Sequence, residues 1–257
     1  MLKNIAVPMF NDNYLWLLIS PQKTVIAVDV GDYALLATYL QAHNLQLTTV
    51  FITHHHHDHI TGLAELHQKM PDVAIYAAAN INHATQKLTG GEILNIENFG
   101  RFLVLDVKGH TAIHLAFYHL QQQLLYCGDS LFSGGCGRIF PDGNAEHLFD
   151  SLQKISLLPN NTQVCAAHEY TLDNLKFALH IEPNNVKLQD YQQLCQQRRQ
   201  QHLATLPSLL TTEKAINPFL RCHLLTTQIE TLTQQPYLTP KATFCALRTY
   251  KNTWKSI

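Results

Sequence analysis

Seven consecutive residues, Thr53-His54-His55-His56-His57-Asp58-His59, hold five of the sixteen histidines in the chain. Imidazoles and a carboxylate at this density can hold divalent cations, and cations beside water make hydrolytic chemistry available near neutral pH. The stretch follows the apolar run Val50-Phe51-Ile52, which reads as the end of a buried strand. It precedes Ile60-Thr61-Gly62-Leu63-Ala64-Glu65-Leu66, which reads as the start of a helix. In an extended segment side chains alternate, so His54, His56 and Asp58 face one way and His55 and His57 the other. A turn into the helix at Asp58 swings His59 back toward the same side. Two ligand pairs result, His54 with His56 and Asp58 with His59, which suits two adjacent cations better than one. Imidazole and carboxylate without thiolate fit zinc, iron or manganese. The alternative is a solvated histidine patch or a tag, against which the internal position between strand and helix patterns speaks.

Three further candidate ligands stand at expected strand ends. They are His110 in Gly-His-Thr, Asp129 in Gly-Asp-Ser, and His168 before Glu169. Strand ends are where loops converge to build sites in open sheets. His54, His56 and His110 can hold one metal, Asp58, His59 and His168 a second, and Asp129 can bridge. Asp29 also ends an expected strand; it is a solvated cap or a support near the metals. His43, His67, His83, His114, His119, His147, His180, His202 and His223 lack such a context and read as structural or solvated.

The elements that must position these groups follow from the hydrophobic pattern. Residues 5–7, 14–19, 24–29, 48–52, 73–77, 102–107 and 163–167 read as strands, and 114–120 with 124–127 as a hairpin. Residues 33–43, 60–70 and 144–157 read as helices. From 172 to 202 the pattern is helical with a break at Pro183, and no further strand pattern of comparable strength appears. This predicts a mixed sheet packed by helices over residues 1–170, and a small helical domain over 171–257.

The 257 residues are 46% hydrophobic, enough to bury a core. The net charge of −1 gives no sign of a nucleic-acid partner. Six scattered cysteines form no CxxC pair, so reduced thiols in a cytoplasmic protein are expected. Neither a signal peptide nor a membrane-spanning run is expected, and the protein is expected to be monomeric.

His54-x-His56-x-Asp58-His59, with His110, Asp129 and His168 downstream, resembles the metallo-β-lactamase superfamily. That resemblance implies an αββα sandwich with a two-metal site at its edge. Gly134-Gly135-Cys136-Gly137-Arg138, Ala167-His168-Glu169-Tyr170-Thr171, Asn217-Pro218-Phe219-Leu220-Arg221 and Leu247-Arg248-Thr249-Tyr250-Lys251 narrow the resemblance to the glyoxalase II family. The likeness covers nearly the whole chain and makes residues 171–257 a glutathione-binding domain. It implies hydrolysis of S-D-lactoylglutathione to D-lactate and glutathione, a step of methylglyoxal detoxification. Two divalent ions are implied, zinc first, with iron or manganese as alternatives. Arg138, Tyr170, Arg248 and Lys251 are implied to contact glutathione, whose two carboxylates suit cationic side chains. Without the resemblance, Arg248 and Lys251 read as an ordinary solvated face.

The expected chemistry is attack on the thioester carbonyl by a hydroxide bridging the two ions, with Asp58 orienting the water. A thiolate leaves readily, so no acid partner is required. Cys136 is expected to serve the loop structurally rather than as a nucleophile. This chain departs from the family pattern in four places. Phe140 stands where many members carry a glutathione-holding tyrosine, Arg138 where others have lysine, and His57 where several have an aromatic residue. Val107-Lys108-Gly109 lacks a proline often found there. A β-lactamase or nuclease shares the metal motif but not the tail with Asn217-Pro218-Phe219 and Arg248. A glutathione persulfide dioxygenase would use one iron and a shorter tail. A metal-buffering or glutathione-binding module would bind metal without turnover.

Overall fold

The apolar runs over 14–19 and 24–28 form strands that are buried almost throughout. The computed structural model describes residues 1–236 and 239–254, so residues 237, 238 and 255–257 of the expected helical domain lie outside the described residues. The chain divides into two compact units, Met1–Asp106 with Ile113–Gly128, and Val107–Ala112 with Asp129–Ile257.

In the first unit, β1 (Lys3–Met9), β2 (Asn13–Ile19), β3 (Thr24–Val28), β4 (Gln46–Phe51), β5 (Ala74–Ala78) and β6 (Gln86–Leu88) lie side by side in chain order. The first three are antiparallel and β3 to β6 are parallel, the mixed sheet that the sequence predicts. The parallel crossovers carry α1 (Tyr33–His43), α2 (His57–Ile60) and α3 (Leu63–Lys69). On one face Leu15, Leu17, Val25, Ala27 and Val50 pack with Leu36, Leu40, Leu63 and Leu66 of the helices. On the other, Phe51 stacks on Phe117 with centroids 4.3 Å apart and meets Phe102 edge-on at 5.1 Å. Those partners belong to an antiparallel meander, β7 (Ile93–Ile96), β8 (Gly100–Asp106), β9 (Leu115–His119) and β10 (Leu124–Gly128). Every residue of β2 is buried, which is why its sequence is a continuous apolar run and not an alternation. Each such Leu or Ile contributes about 1.5–3 kcal/mol by leaving water.

The helix after the histidine stretch differs from the reading over 60–70. A short helix already begins at His57, and α3 starts afresh at Leu63. Gly62 causes the break. Its N–H donates to Val30 O at 3.0 Å, and a Cβ there would lie 2.7 Å from Tyr33 N. Asp58 therefore sits on a helical turn and not in the extended alternation.

The second unit contains β11 (Leu131–Phe132), β12 (Gly135–Cys136), α4 (Ala145–Ser156), β13 (Gln163–Ala166), α5 (Thr171–Ile181), α6 (Val186–Gln200), β14 (Ser208–Leu209), α7 (Leu210–Ile216), α8 (Cys222–Thr233) and α9 (Pro240–Thr253). Asn144 and Asn185 cap α4 and α6 by accepting backbone N–H bonds, and Pro183 lies in the break between α5 and α6. Leu175, Ala178, Leu188, Cys195 and Ile216 form one core, and Phe177, Phe219, Phe244 and Phe149 a chain of ring contacts. After residue 172 one short strand occurs. Ser208 and Leu209 pair with Val164 and Gln163, a strand too short to show a period. The fold class is as expected, an α/β sandwich with a small α-helical C-terminal region.

Candidate metal centre

In the first unit the site begins at the carboxyl ends of two parallel strands. The register pairs Val28 with Phe51, so Asp29 and Thr53 emerge side by side. Asp29 turns the chain with φ of 60°, a conformation that Asp tolerates better than most residues. Its carboxylate accepts Thr53 N–H and Thr53 Oγ1–H, both at 2.8 Å, and His59 Nδ1–H at 2.9 Å. Asp29 is buried and supports the histidine stretch; it is not a solvated cap.

These bonds set the imidazole tautomers. Thr53 Oγ1 donates its only hydrogen to Asp29, so it accepts from His54 Nδ1 at 3.0 Å. His54 then presents the lone pair of Nε2, which lies 2.9 Å from His56 Nδ1. His59, held at Nδ1 by Asp29, places Nε2 at 3.3 Å from Asp58 Oδ2. Asn13 Nδ2 donates to Asp58 Oδ2 at 2.7 Å. His54 and His59 are each 1% exposed, while His57 is exposed. Buried His114 stacks on His54 with centroids 4.5 Å apart.

In the second unit His110 follows Gly109, whose backbone packs on α4. A Cβ on Gly109 would lie 2.2 Å from Leu148 N. His110 Nδ1 donates to Arg138 O at 2.7 Å, leaving Nε2 at 3.4 Å from Asp129 Oδ2. His168 Nε2 lies 3.4 Å from the other carboxylate oxygen, Asp129 Oδ1, and its ring stacks on Tyr170 at 4.6 Å. Asp129 thus offers one oxygen to each of two buried imidazoles.

The residues fit divalent cations. Separations of 3.3–3.4 Å exceed the usual hydrogen-bond range of about 2.7–3.2 Å. Two donors each about 2.1 Å from one cation at a tetrahedral angle are about 3.4 Å apart. A second hydrogen bond fixing the far nitrogen, as at His54, His59 and His110, is the usual support of metal-binding imidazoles.

The other expected site residues are less alike in placement. Arg138 is exposed with its guanidinium 5.7 Å from the centroid of Phe140, and Tyr170 is 37% exposed. Arg248 is 3% exposed and donates to Cys136 O at 3.1 Å, Gly137 O at 3.5 Å and Asn252 Oδ1 at 3.0 Å. Lys251 is half-buried, bonded to Asn174 Oδ1, with its ammonium 5.2 Å from the centroid of Phe177. Neither Arg248 nor Lys251 lies on a solvated face. Burial, with Arg248 nearby, pushes the Lys251 ammonium down to about 7. Burial pushes the Cys136 thiol up, against an activated nucleophile. Asn13, His114 and the Arg138 carbonyl were not legible as site groups, because nothing in their local sequence distinguishes them.

The structural neighbours define the class. BLEG-1 B3 metallo-beta-lactamase aligns with a TM-score of 0.65 at 22% identity, covering 86% of this chain and 99% of that one. ETHE1 from Myxococcus xanthus aligns with a TM-score of 0.65 at 22% identity, covering 98% of each chain. The fold is therefore that of the metallo-beta-lactamases, and the family model for the Metallo-beta-lactamase superfamily matches residues 14–168.

The model described as Hydroxyacylglutathione hydrolase C-terminus matches residues 169–254. The hydroxyacylglutathione hydrolase of Aliivibrio salmonicida (strain LFI1238) is 41% identical over 249 residues, 96% of this chain and 97% of its own length. That of Nitrosomonas europaea is 41% identical over 260 residues, covering 99% and 97%. The chain belongs to the hydroxyacylglutathione hydrolase family.

Proposed function

We propose that this chain is a metal-dependent thioester hydrolase that cleaves S-2-hydroxyacylglutathione to the 2-hydroxy acid and glutathione. S-D-lactoylglutathione, giving D-lactate in methylglyoxal detoxification, is its substrate in this reading. One observation carries it: Asp129 turns one oxygen to His110 and the other to His168, as a carboxylate shared by two cations would. Donor chemistry supports it. Among the described residues, His54, His56, Asp58 and His59 in the first unit and His110, Asp129 and His168 in the second are all possible metal ligands. In the proposal one cation is held by His54, His56 and His110, the other by Asp58, His59 and His168, and Asp129 is common to both. Zinc is the first choice of metal, with iron or manganese as alternatives.

Such a pair of cations supplies electrophilic polarisation of the thioester carbonyl and a water acidic enough to ionise near neutral pH. The residues do the rest. Asp58, held by Asn13, orients the attacking water. Asp29 and the Arg138 carbonyl keep His59 and His110 in the tautomer that presents Nε2. Water gives up a proton to solvent as it adds to the carbonyl carbon, the carbon–sulfur bond breaks, glutathione leaves as a thiolate that needs no acid partner, and the carboxylic acid formed loses its own proton to solvent.

The substrate side is proposed as Arg138, Tyr170, Arg248 and Lys251 acting on the glutathione carboxylates. The division into a catalytic domain over 1–170 and a glutathione-binding domain over 171–257 is supported by family matches that meet at residues 168 and 169. All six cysteines are free, which supports a reduced, cytoplasmic setting, and no described helix is long and apolar enough to cross a membrane. Action as a monomer on a small molecule, without nucleic acid, completes the proposal.

The test compares S-D-lactoylglutathione with the CoA thioester of the same acid. A preference of about 100-fold or more in kcat/KM for the glutathione thioester is expected, about 2.7 kcal/mol of differential binding. Lys251→Ala is expected to raise KM for that substrate about tenfold, the loss of one charge-assisted bond. Equal rates on the two thioesters, with KM unchanged in Lys251→Ala, would contradict the glutathione reading.

A further inference from the structure

The Asn-Pro-Phe run at 217–219 takes no part in the proposed chemistry, yet Asn217 is fully buried. Its Nδ2 donates to Phe132 O at 3.1 Å and to Gly135 O at 2.9 Å, and also contacts Glu213 Oε2 at 3.2 Å. Its Oδ1 accepts Phe219 N–H at 3.1 Å, so both ends of the amide are used. One turn earlier on α7, Glu213 is also fully buried. Glu213 accepts Ser133 Oγ–H at 2.7 Å and Gly134 N–H at 2.8 Å. Asn174 of α5 adds a bond to Ser133 O at 3.1 Å. Thus Phe132 O, Ser133 O, Gly134 N and Gly135 O, in a row, are all held by side chains of α5, α7 and the end of α7.

This row is the hairpin of β11 and β12, and it lies between Asp129 and Arg138. Asp129 presents the shared carboxylate, and Arg138 O accepts the bond that sets His110. Just after the hairpin the chain passes close to both ligands. A Cβ on Gly137 would lie 2.1 Å from Asp129 O and 2.8 Å from His110 Nδ1. Any displacement of the hairpin is therefore passed to the two groups. The donors on Glu213 named above are neutral, and burial pushes its carboxyl up. A buried acidic group facing only neutral partners is an expensive way to gain stability, which points to geometry as its use.

We propose that Asn217 and Glu213 are positioning residues of the metal centre, fixing the hairpin between Asp129 and Arg138 so that Asp129 and His110 are aimed at the cations. The inference rests on the hydrolase reading for its metals. Its own measurement needs no substrate.

Wild type, Asn217→Asp and Asn217→Ser are purified and stripped of metal. Zinc affinity is then measured by competition with a chromophoric chelator, beside far-UV circular dichroism and thermal unfolding. Asn217→Asp keeps the size of the side chain but turns a donor into an acceptor facing two carbonyls. We expect zinc binding weaker by about 10- to 100-fold in Asn217→Asp, the usual loss when a group supporting a ligand is changed, with secondary structure retained. In assays, kcat is expected to fall together with the zinc affinity. Asn217→Ser keeps one donor and is expected to lose less. Glu213→Gln, which keeps an acceptor for Gly134 N–H, is expected to retain more zinc affinity than Glu213→Ala. If Asn217→Asp does not fold, Asn217→Ser decides by the same readout. A folded variant that loses thermal stability but binds zinc like wild type overturns the proposal, since a merely structural role predicts that result. Should wild type bind two equivalents of zinc and cleave no glutathione thioester, the hydrolase reading fails while the zinc affinities still judge this one.

Discussion

Asp29 Oδ2 lies 2.9 Å from His59 Nδ1, and the same oxygen accepts the Thr53 hydroxyl that in turn accepts from His54 Nδ1. One buried carboxylate therefore sets the tautomers of two imidazoles proposed to bind different cations. Asp29→Asn puts an amide where two donors already converge. We expect each zinc to bind about 10- to 100-fold more weakly, as when an outer partner of a metal-binding histidine is removed. Chelator competition on the folded variant checks this. Loss confined to thermal stability, with both affinities unchanged, would contradict the role given to Asp29.

Lys251 carries a pH signature. Burial beside Arg248 lowers its ammonium to about 7, against about 10.4 in an unfolded chain. Between these values the unfolded state binds a proton that the folded state does not, so stability rises with pH across that window. Below about 7 both states are charged and the full cost of burial remains. Replacing Lys251 by Met is expected to raise Tm relative to wild type most at pH 6, with the gain shrinking by pH 9.5. Thermal unfolding of both proteins at the two pH values checks it. A gain that is equal at both, or larger at pH 9.5, would show that the ammonium is not depressed.

Phe140 meets His110 edge-on at 5.0 Å and lies under the Arg138 guanidinium. By the resemblance read from the sequence, many members of the family carry a glutathione-holding tyrosine at this position. Phe140→Tyr is expected to lower KM for the glutathione thioester about 2- to 10-fold, the value of one hydrogen bond, with kcat within about twofold. Steady-state kinetics on that substrate are the check, and an unchanged or higher KM would count against a substrate contact at this position.

The sequence carried the parts of this molecule that depend on local pattern. The apolar runs around β2 and β4, the helix over 33–43 and the helix capped by Asn144 all follow from spacing and caps. The histidine stretch was legible for the same reason, since its donors lie within seven residues. What was not legible depends on contacts between distant residues. Asn13 reaches Asp58 across 45 positions, and Asn217 reaches Phe132 across 85. The break between α2 and α3 depends on the close packing of Gly62 against Val30 and Tyr33, which no periodicity encodes. Arg248 looked like a surface cation because α9 is polar along much of its length, and its burial follows from the carbonyls of Cys136 and Gly137 that it meets.

The central claim is that hydrolysis needs both cations and the carboxylate they share. It is tested most directly by titrating metal-free protein with zinc while following thiol release from S-D-lactoylglutathione, for wild type and Asp129→Ala. The expected result is wild-type activity that rises to a plateau at about two equivalents of zinc, the stoichiometry of a two-metal hydrolytic site, and a kcat/KM at least about 100-fold lower in Asp129→Ala with metal content reduced. Full thioester hydrolysis by metal-free wild type, or by Asp129→Ala after its metal is lost, would contradict the account.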